Sequence, residues 1–355
     1  MRGSLVNSGA RIDRRLSVAP MMDWTDRHER FFLRQITRRT MLYTEMITSG
    51  AILHGDRERL LAYDPCEHPV GLQVGGADPE ALSRCAEIAA SLGYDEINLN
   101  VGCPSDRVQS GQFGACLMAE PDRVAACATA MIGFGIPVTV KCRIGIDGRE
   151  DYEDLLAFVE AVRQGGVASF AVHARIAVLE GLSAKENREI PPLRYADVYR
   201  LKAECPELEI IINGGIRDLG EAAGHLEHVD GVMIGRAAYQ NPWMLAAADR
   251  AVFGETGSGP SPDEVIARVA DYAEAHLARG GRLSEVTRHI LGLFQGVPGA
   301  RAWRRHLSEN AHRPGAGVDV LFEAAAKVPA EIRSARGDVG KPREATSNGK
   351  VRNFG

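Results

Sequence analysis

Apolar residues in the first two thirds of the chain gather in short unbroken runs instead of alternating with polar ones. Eight such runs recur: LSVAPM (16–21), TMLYTEM (40–46), VGLQVGG (70–76), DEINLNVG (95–102), PVTVKCRI (137–144), SFAVHAR (169–175), LEIIINGGI (208–216) and GVMIGRA (231–237). Continuous runs of this length mark strands buried on both faces, as in a parallel sheet. Between them the period changes to that of a helix. DPEALSRCAEIAASLG (78–93) opens on an aspartate cap with proline in the first turn and closes on glycine. EPDRVAACATAMIGFG (120–135) repeats the device, and REDYEDLLAFVEAVRQGG (149–166) ends in a glycine pair. Strands alternating with helices in this way predict an α/β protein, a (β/α)8 TIM barrel. The competing arrangement is a doubly wound open sheet. No G-x-G-x-x-G follows a strand, which removes the usual reason to prefer it.

After about residue 245 the strand pattern stops. SPDEVIARVADYAEAHLARGG (261–281) is a capped amphipathic helix, and 286–311 and 319–328 also carry helical periodicity. The predicted organisation is a flexible extension (1–13), a catalytic barrel (14–250), a small all-helical domain (255–330) and a polar, Gly-rich disordered tail (331–355).

Composition narrows the class. A net charge of −5 over 355 residues argues against wholesale electrostatic binding of nucleic acid, though not against a local basic surface. Seven cysteines with no CxxC pair fit neither a disulfide framework nor structural zinc. Reduced thiols suggest a cytoplasmic protein. The N-terminus lacks the apolar region of a signal peptide, and no run nears the roughly 18 apolar residues a membrane helix needs.

Barrel chemistry sits at the C-terminal ends of the strands. Those ends deliver Pro20, Met21 and Met22; Gln73; Asn100 and Cys103; Lys141 and Arg143; His173 and Arg175; Asn213, Gly214 and Gly215; Gly235 and Arg236. Any one of these could be a satisfied core polar group. A full ring of them is better explained by a ligand, because burying each is costly. The glycines after strands seven and eight free backbone N–H groups for a phosphate, and Arg236 can add a charge-assisted contact. A phosphorylated flat cofactor fits, with Lys141 beside the pyrimidine end of a flavin. Pyridoxal phosphate on the same lysine is the rival, and Gln73 and His173 do not separate the two. A metal held by His173 with Cys142 or Cys103 lacks ligand spacing.

INLNVGCPS (97–105) sets Cys103 between a glycine and a proline, on backbone held stiff. A nucleophilic thiolate wants a neighbouring base, and none is evident in the sequence. A neutral thiol at a fixed distance above a planar ring suits a general acid. Further on, Arg301, Arg304 and Arg305 share one helical face, which taken alone reads as a solvated surface and suits phosphates only if the barrel beside it acts on RNA.

The motifs APMMDWTDRH, YTEM, GLQVGG, NLNVGCPS, VKCRIG, VHAR, NGGI and IGRAAYQNPW together resemble the tRNA-dihydrouridine synthases. KENREIPPL (185–193) and GVPGARAWRRHLSENA (296–311) resemble its bacterial A subfamily, and the likeness spans about residues 14–328. The resemblance implies an FMN barrel reduced by NADPH (or NADH) and a helical tRNA-binding domain. It implies reduction of D-loop uridines at positions 20 and 20a, with hydride to C6 and a proton to C5. It assigns FMN contacts to Pro20, Met21, Met22, Gln73, Lys141, His173, Asn213, Gly214, Gly215, Gly235 and Arg236. Cys103 becomes the proton donor and Asn100 a uridine contact. Arg188, Arg301 and Arg304 set how the tRNA docks, and Arg143 and Arg175 touch substrate or phosphate. No membrane and no stable protein partner are implied, and a monomer is expected.

The sequence departs from the family pattern at four places. Ile176 and Val178 stand where lysine and tryptophan are expected, Gln112 where arginine is, and Glu29 where a small or apolar residue is. Without a second nucleotide-binding domain, reductant and RNA share one mouth, which predicts a ping-pong order. Two other functions compete: reduction of a free pyrimidine, which would need no Arg-rich helical domain, and tRNA binding without catalysis, which would not need Cys103, Lys141 and His173.

Overall fold

The computed structural model describes residues 12–105, 108 and 111–337. Nine strand segments lie parallel: β1 (Leu16–Val18), β2 (Leu42–Tyr43), β3 (Ile47–Thr48), β4 (Val70–Gly75), β5 (Glu96–Val101), β6 (Val138–Arg143), β7 (Ser169–His173), β8 (Glu209–Asn213) and β9 (Gly231–Ile234). The sheet runs β1-β9-β8-β7-β6-β5-β4-β2. The backbone of Met41 closes it into a barrel, accepting from Val18 N at 2.9 Å and donating to Leu16 O at 3.0 Å. Eight staves result, as expected. The second stave is broken into β2 and β3, both paired with β4. The break has a side-chain cause: Thr44 Oγ1 takes the N–H of Gln73 at 3.0 Å, where a strand would offer a carbonyl.

The principal helices are α1 (Arg27–Ile36), α2 (Pro79–Leu92), α3 (Pro121–Met131), α4 (Tyr152–Gln164), α5 (Tyr195–Glu204), α6 (Leu219–Leu226), α7 (Arg236–Gln240), α8 (Pro262–Ala278), α9 (Ala300–Asn310) and α10 (Asp319–Ala325). Their ends follow local chemistry. Asp26 caps α1, Asp78 caps α2, and Ser261 with Glu264 forms a capping box on α8. The helical stretch expected over 286–311 is interrupted: a helix ends at Thr287, a 3-10 turn covers Ile290–Gly292, and α9 begins only at Ala300. Gly299 makes that turn with φ +85°, and a side chain there would strike Lys327 O at 2.5 Å. Residues 331–337, expected to be disordered, carry the end of a helix and two ties, Arg333 to Asp263 and Arg336 to Glu264, both at 2.6 Å. Of the expected extension, Ile12 and Asp13 are described, with Asp13 paired to Arg15 at 2.6 Å; the rest of it and of the tail lies outside the described residues.

Strand residues alternate between two cores. Leu72, Val74, Ile97, Leu99 and Val140 point outward to the helices. Inside the barrel, Ala19, Met41, Ala171, Ile211 and Met233 form a separate apolar cluster. The C-terminal helices dock on the barrel through α1, where Phe31 stacks on Tyr272 at 4.0 Å. Among the described residues, no helix is long and apolar enough to cross a membrane.

Candidate active site

The strand ends surround a cavity of about 670 Å³. Every residue predicted to hold a cofactor lines it, together with Cys103, Asn100, Arg143 and Arg188. Arg175 does not, and Arg301 and Arg304 lie away from it on α9.

The end of β5 shows how the sequence builds the site locally. Asn100 Oδ1 accepts the backbone N–H groups of Gly102 and Cys103 at 3.2 and 3.0 Å, which folds the chain back above the strand. A side chain at Gly102 would press on the Cys142 carbonyl carbon at 3.3 Å. Cys103 O in turn accepts from Ala115 N at 2.9 Å. The thiol therefore sits on backbone held at both its N–H and its C=O, with Ser105 Oγ 3.4 Å away. Asn100, expected to meet substrate, is 8% exposed and uses its amide on this turn and on Gln73.

Two basic side chains face the same space. Lys141 Nζ donates to Asn213 Oδ1 at 3.2 Å, and burial, with Arg143 nearby, lowers its pKa to about 8. Burial, then the cations Arg143, Lys141, Arg175 and Arg188, hold His173 well below the usual histidine range. Its ring is neutral at pH 7. His173 Nδ1 is buried with no hydrogen-bond partner among the described residues.

The glycines form a cradle. Gly214 and Gly215 take φ +114° and +74°, a region that L side chains rarely enter. A Cβ at Gly215 would strike Leu193 at 2.5 Å. Tyr195 OH donates to Gly214 O at 2.7 Å and holds the turn. At Gly235 a Cβ would meet nothing closer than Ala19 and Met21, at 3.7 and 3.8 Å. Protein packing does not require that glycine, whereas close approach from the cavity would.

A strap over 176–193 crosses the mouth. Buried Asn187 holds both backbone groups of Val178 at 2.8 Å. Arg143 Nη1 donates to Ile176 O and Asn187 O, and its Nε to Gly102 O. Arg143, expected to touch substrate, is thus 4% exposed and ties the strap to the Cys103 turn. Arg175 Nη1 donates to Pro191 O and Glu189 O. Arg236 pairs with Glu189 at 2.7 Å and reaches Arg188 O.

Sequence reasoning assigns no site residue to the second stave, yet Met46 lines the cavity. It also passes over Trp24, which lines the cavity and stacks on Tyr239 at 4.3 Å, and Ser105. Both lie inside quoted motifs, so the signal was present. Of the four departures, Ile176 and Val178 contribute backbone to the strap, and Gln112 takes φ +54°. Glu29 is buried beside His289. Among the described residues, no group of three or more His, Cys, Asp or Glu converges to hold a metal.

A family model described as dihydrouridine synthase (Dus) matches residues 17–329. Three similar chains are named tRNA-dihydrouridine(20/20a) synthase. That of Shewanella oneidensis is 57% identical over 328 residues, covering 92% of this chain and 98% of its own. That of Vibrio parahaemolyticus is 58% identical, covering 90% and 98%. That of Escherichia coli K12 is 58% identical, covering 90% and 92%.

Proposed function

The chain belongs to the dihydrouridine synthase family, and from that premise we propose that it reduces the C5=C6 bond of D-loop uridines in tRNA, at positions 20 and 20a, using NADPH and FMN. The observation that carries the reading is one cavity holding a thiol on a rigid turn, a lysine, a neutral histidine with an open nitrogen and a glycine cradle.

The residues fit a flavin mononucleotide. Gly214, Gly215, Gly235 and Arg236 would hold its phosphate, and Met21, Gln73, Lys141 and His173 its ring. The orphaned Nδ1 of His173 and the room beside Gly235 suit a polar ligand. When bound, the flavin would take hydride from NADPH and supply it to C6 of the uracil.

The chain's own residues do the rest. Lys141, a cation up to about pH 8, stabilises negative charge at the ring's pyrimidine end. Cys103 delivers the S–H proton to C5 of the uracil, where it stays, and the thiolate takes a new proton from solvent. Asn100 and Ala115 fix the backbone on either side of the sulfur, so the proton arrives from one face. The strap tied by Arg143 and Asn187 narrows the mouth. The target base must leave its stack to enter, which costs a few kcal/mol offset by pocket contacts. Arg301, Arg304 and Arg305 on α9 take backbone phosphates of the folded RNA. A free pyrimidine would need none of that face, and the family match extends across it. Reductant and RNA use the same mouth in turn.

The purified protein should be yellow with flavin absorbance and should form dihydrouridine on unmodified tRNA with NADPH. A colourless protein that takes up no flavin on reconstitution would overturn this reading.

A further inference from the structure

We propose that a line of buried side-chain hydrogen bonds inside the barrel makes Glu96, Thr139 and Asn98 positioning residues, setting Gln73 and the Cys103 turn from the far end of the strands. The inference rests on the function proposed above.

On β5, Glu96, Asn98 and Asn100 alternate inward, and Asn98 is level with Gln73 on β4 and Thr139 on β6. Arg14 Nε donates to Glu96 Oε2 at 2.6 Å. Thr139 Oγ1 donates to Glu96 Oε1 at 2.7 Å and accepts from Asn98 Nδ2 at 2.8 Å. Gln73 Nε2 donates to Asn98 Oδ1 at 2.8 Å, and Asn100 Nδ2 to Gln73 Oε1 at 2.9 Å. Asn100 Oδ1 then accepts from Gly102 N and Cys103 N. All the linking side chains are buried.

The direction of this line is forced. Shape alone does not distinguish the oxygen of an amide from its nitrogen, so orientation comes from partners of fixed polarity. Here both ends are fixed. The carboxylate of Glu96, salt-bridged to Arg14, only accepts; the backbone N–H groups of Gly102 and Cys103 only donate. The one proton of Thr139 must go to Glu96, so Thr139 must accept from Asn98. Each amide in turn has one orientation left, and the two ends demand the same one. Gln73 is thereby committed: its oxygen faces Asn100, and its remaining N–H is the group it can present to the cavity. Glu96 reaches neither cofactor nor substrate. It acts by holding, from the far end of the strands, the same orientation of Gln73 that the Gly102 and Cys103 amides demand from the near end.

Thr139→Val keeps the shape and breaks the line; Thr139→Ser keeps the hydroxyl. In the full-length protein the expected result is faster hydrogen exchange at the Gly102 and Cys103 amides for Thr139→Val, a shifted visible flavin spectrum, and roughly tenfold lower kcat on tRNA at unchanged tRNA KM, the size of one lost buried hydrogen bond. Thr139→Ser restores all three. Should Thr139→Val fail to fold, Asn98→Asp removes the Nδ2 donor of the same Asn98–Thr139 hydrogen bond with one heavy atom changed. If valine and serine behave alike, or exchange and spectrum stay at wild type, the relay is wrong. Exchange is read without flavin or RNA, so a protein that binds no flavin overturns the proposed function while leaving the relay under test.

Discussion

Glu29 and His289, far apart in sequence, meet inside the protein with Glu29 Oε2 3.5 Å from His289 Nδ1. Glu29 is 1% exposed, and neither carboxyl oxygen has a hydrogen-bond partner among the described residues. His289 Nε2 instead faces Asp26 at 3.1 Å, and Arg288 takes the same Asp26 oxygen at 2.6 Å. Burial, then the neighbouring Asp26, raises the Glu29 pKa well above the ordinary carboxylate value.

An unpartnered buried carboxyl destabilises, so Glu29→Met should stabilise the protein by about 1–3 kcal/mol. The sign with pH follows from linkage. Above about pH 4.5 the unfolded chain releases the Glu29 proton while the folded chain keeps it, so stability falls as pH rises. The gain from Glu29→Met should therefore be larger at pH 7.5 than at pH 5. Thermal melts at the two pH values test this, and an equal gain at both would refute the buried-proton account.

Lys141 titrates near 8, so an anionic flavin meets a cation at pH 7 and a largely neutral amine at pH 9. Affinity for reduced FMN, whose ring is the anion, should weaken across that interval, and its binding near pH 8 should take up a proton. Lys141→Met should bind reduced FMN more weakly at pH 7 and lose that pH dependence. Redox titration of the bound flavin at several pH values reads both.

Cys103→Ala should still bind flavin and still oxidise NADPH, yet lose about 10²–10⁴-fold in turnover on tRNA, the range for removing a general acid. Single-turnover reduction followed by dihydrouridine analysis separates the two half-reactions. A wild-type rate on tRNA would exclude Cys103 as the proton donor.

Arg301→Ala with Arg304→Ala should raise the tRNA KM and leave flavin reduction by NADPH unchanged. Removing each arginine–phosphate pair should flatten the logarithmic dependence of affinity on salt by about one unit. Filter binding at several salt concentrations measures the slope. An unchanged slope would mean that α9 does not carry the RNA backbone.

Much of this protein was legible along the chain because its signals are local. Unbroken apolar runs announce strands buried on two faces, and Asp78–Pro79 or Ser261 with Glu264 announce helix starts. NGGI and GCPS mark where backbone must turn tightly beside the cavity. Those stretches carried the eight staves, the glycine cradle and Cys103. Tertiary structure decided what depends on register and on distant partners. Thr44 splits the second stave only because Gln73 N lies opposite it. Arg143 and Asn100, polar at strand ends like the others, turn inward to tie loops because the strap and the Cys103 turn come within reach. Asn98, Thr139 and Glu96 look like unremarkable strand residues until closure of the barrel sets them side by side. A hydrogen bond needs its partners within about 3 Å, and no local pattern of polar and apolar residues encodes that distance.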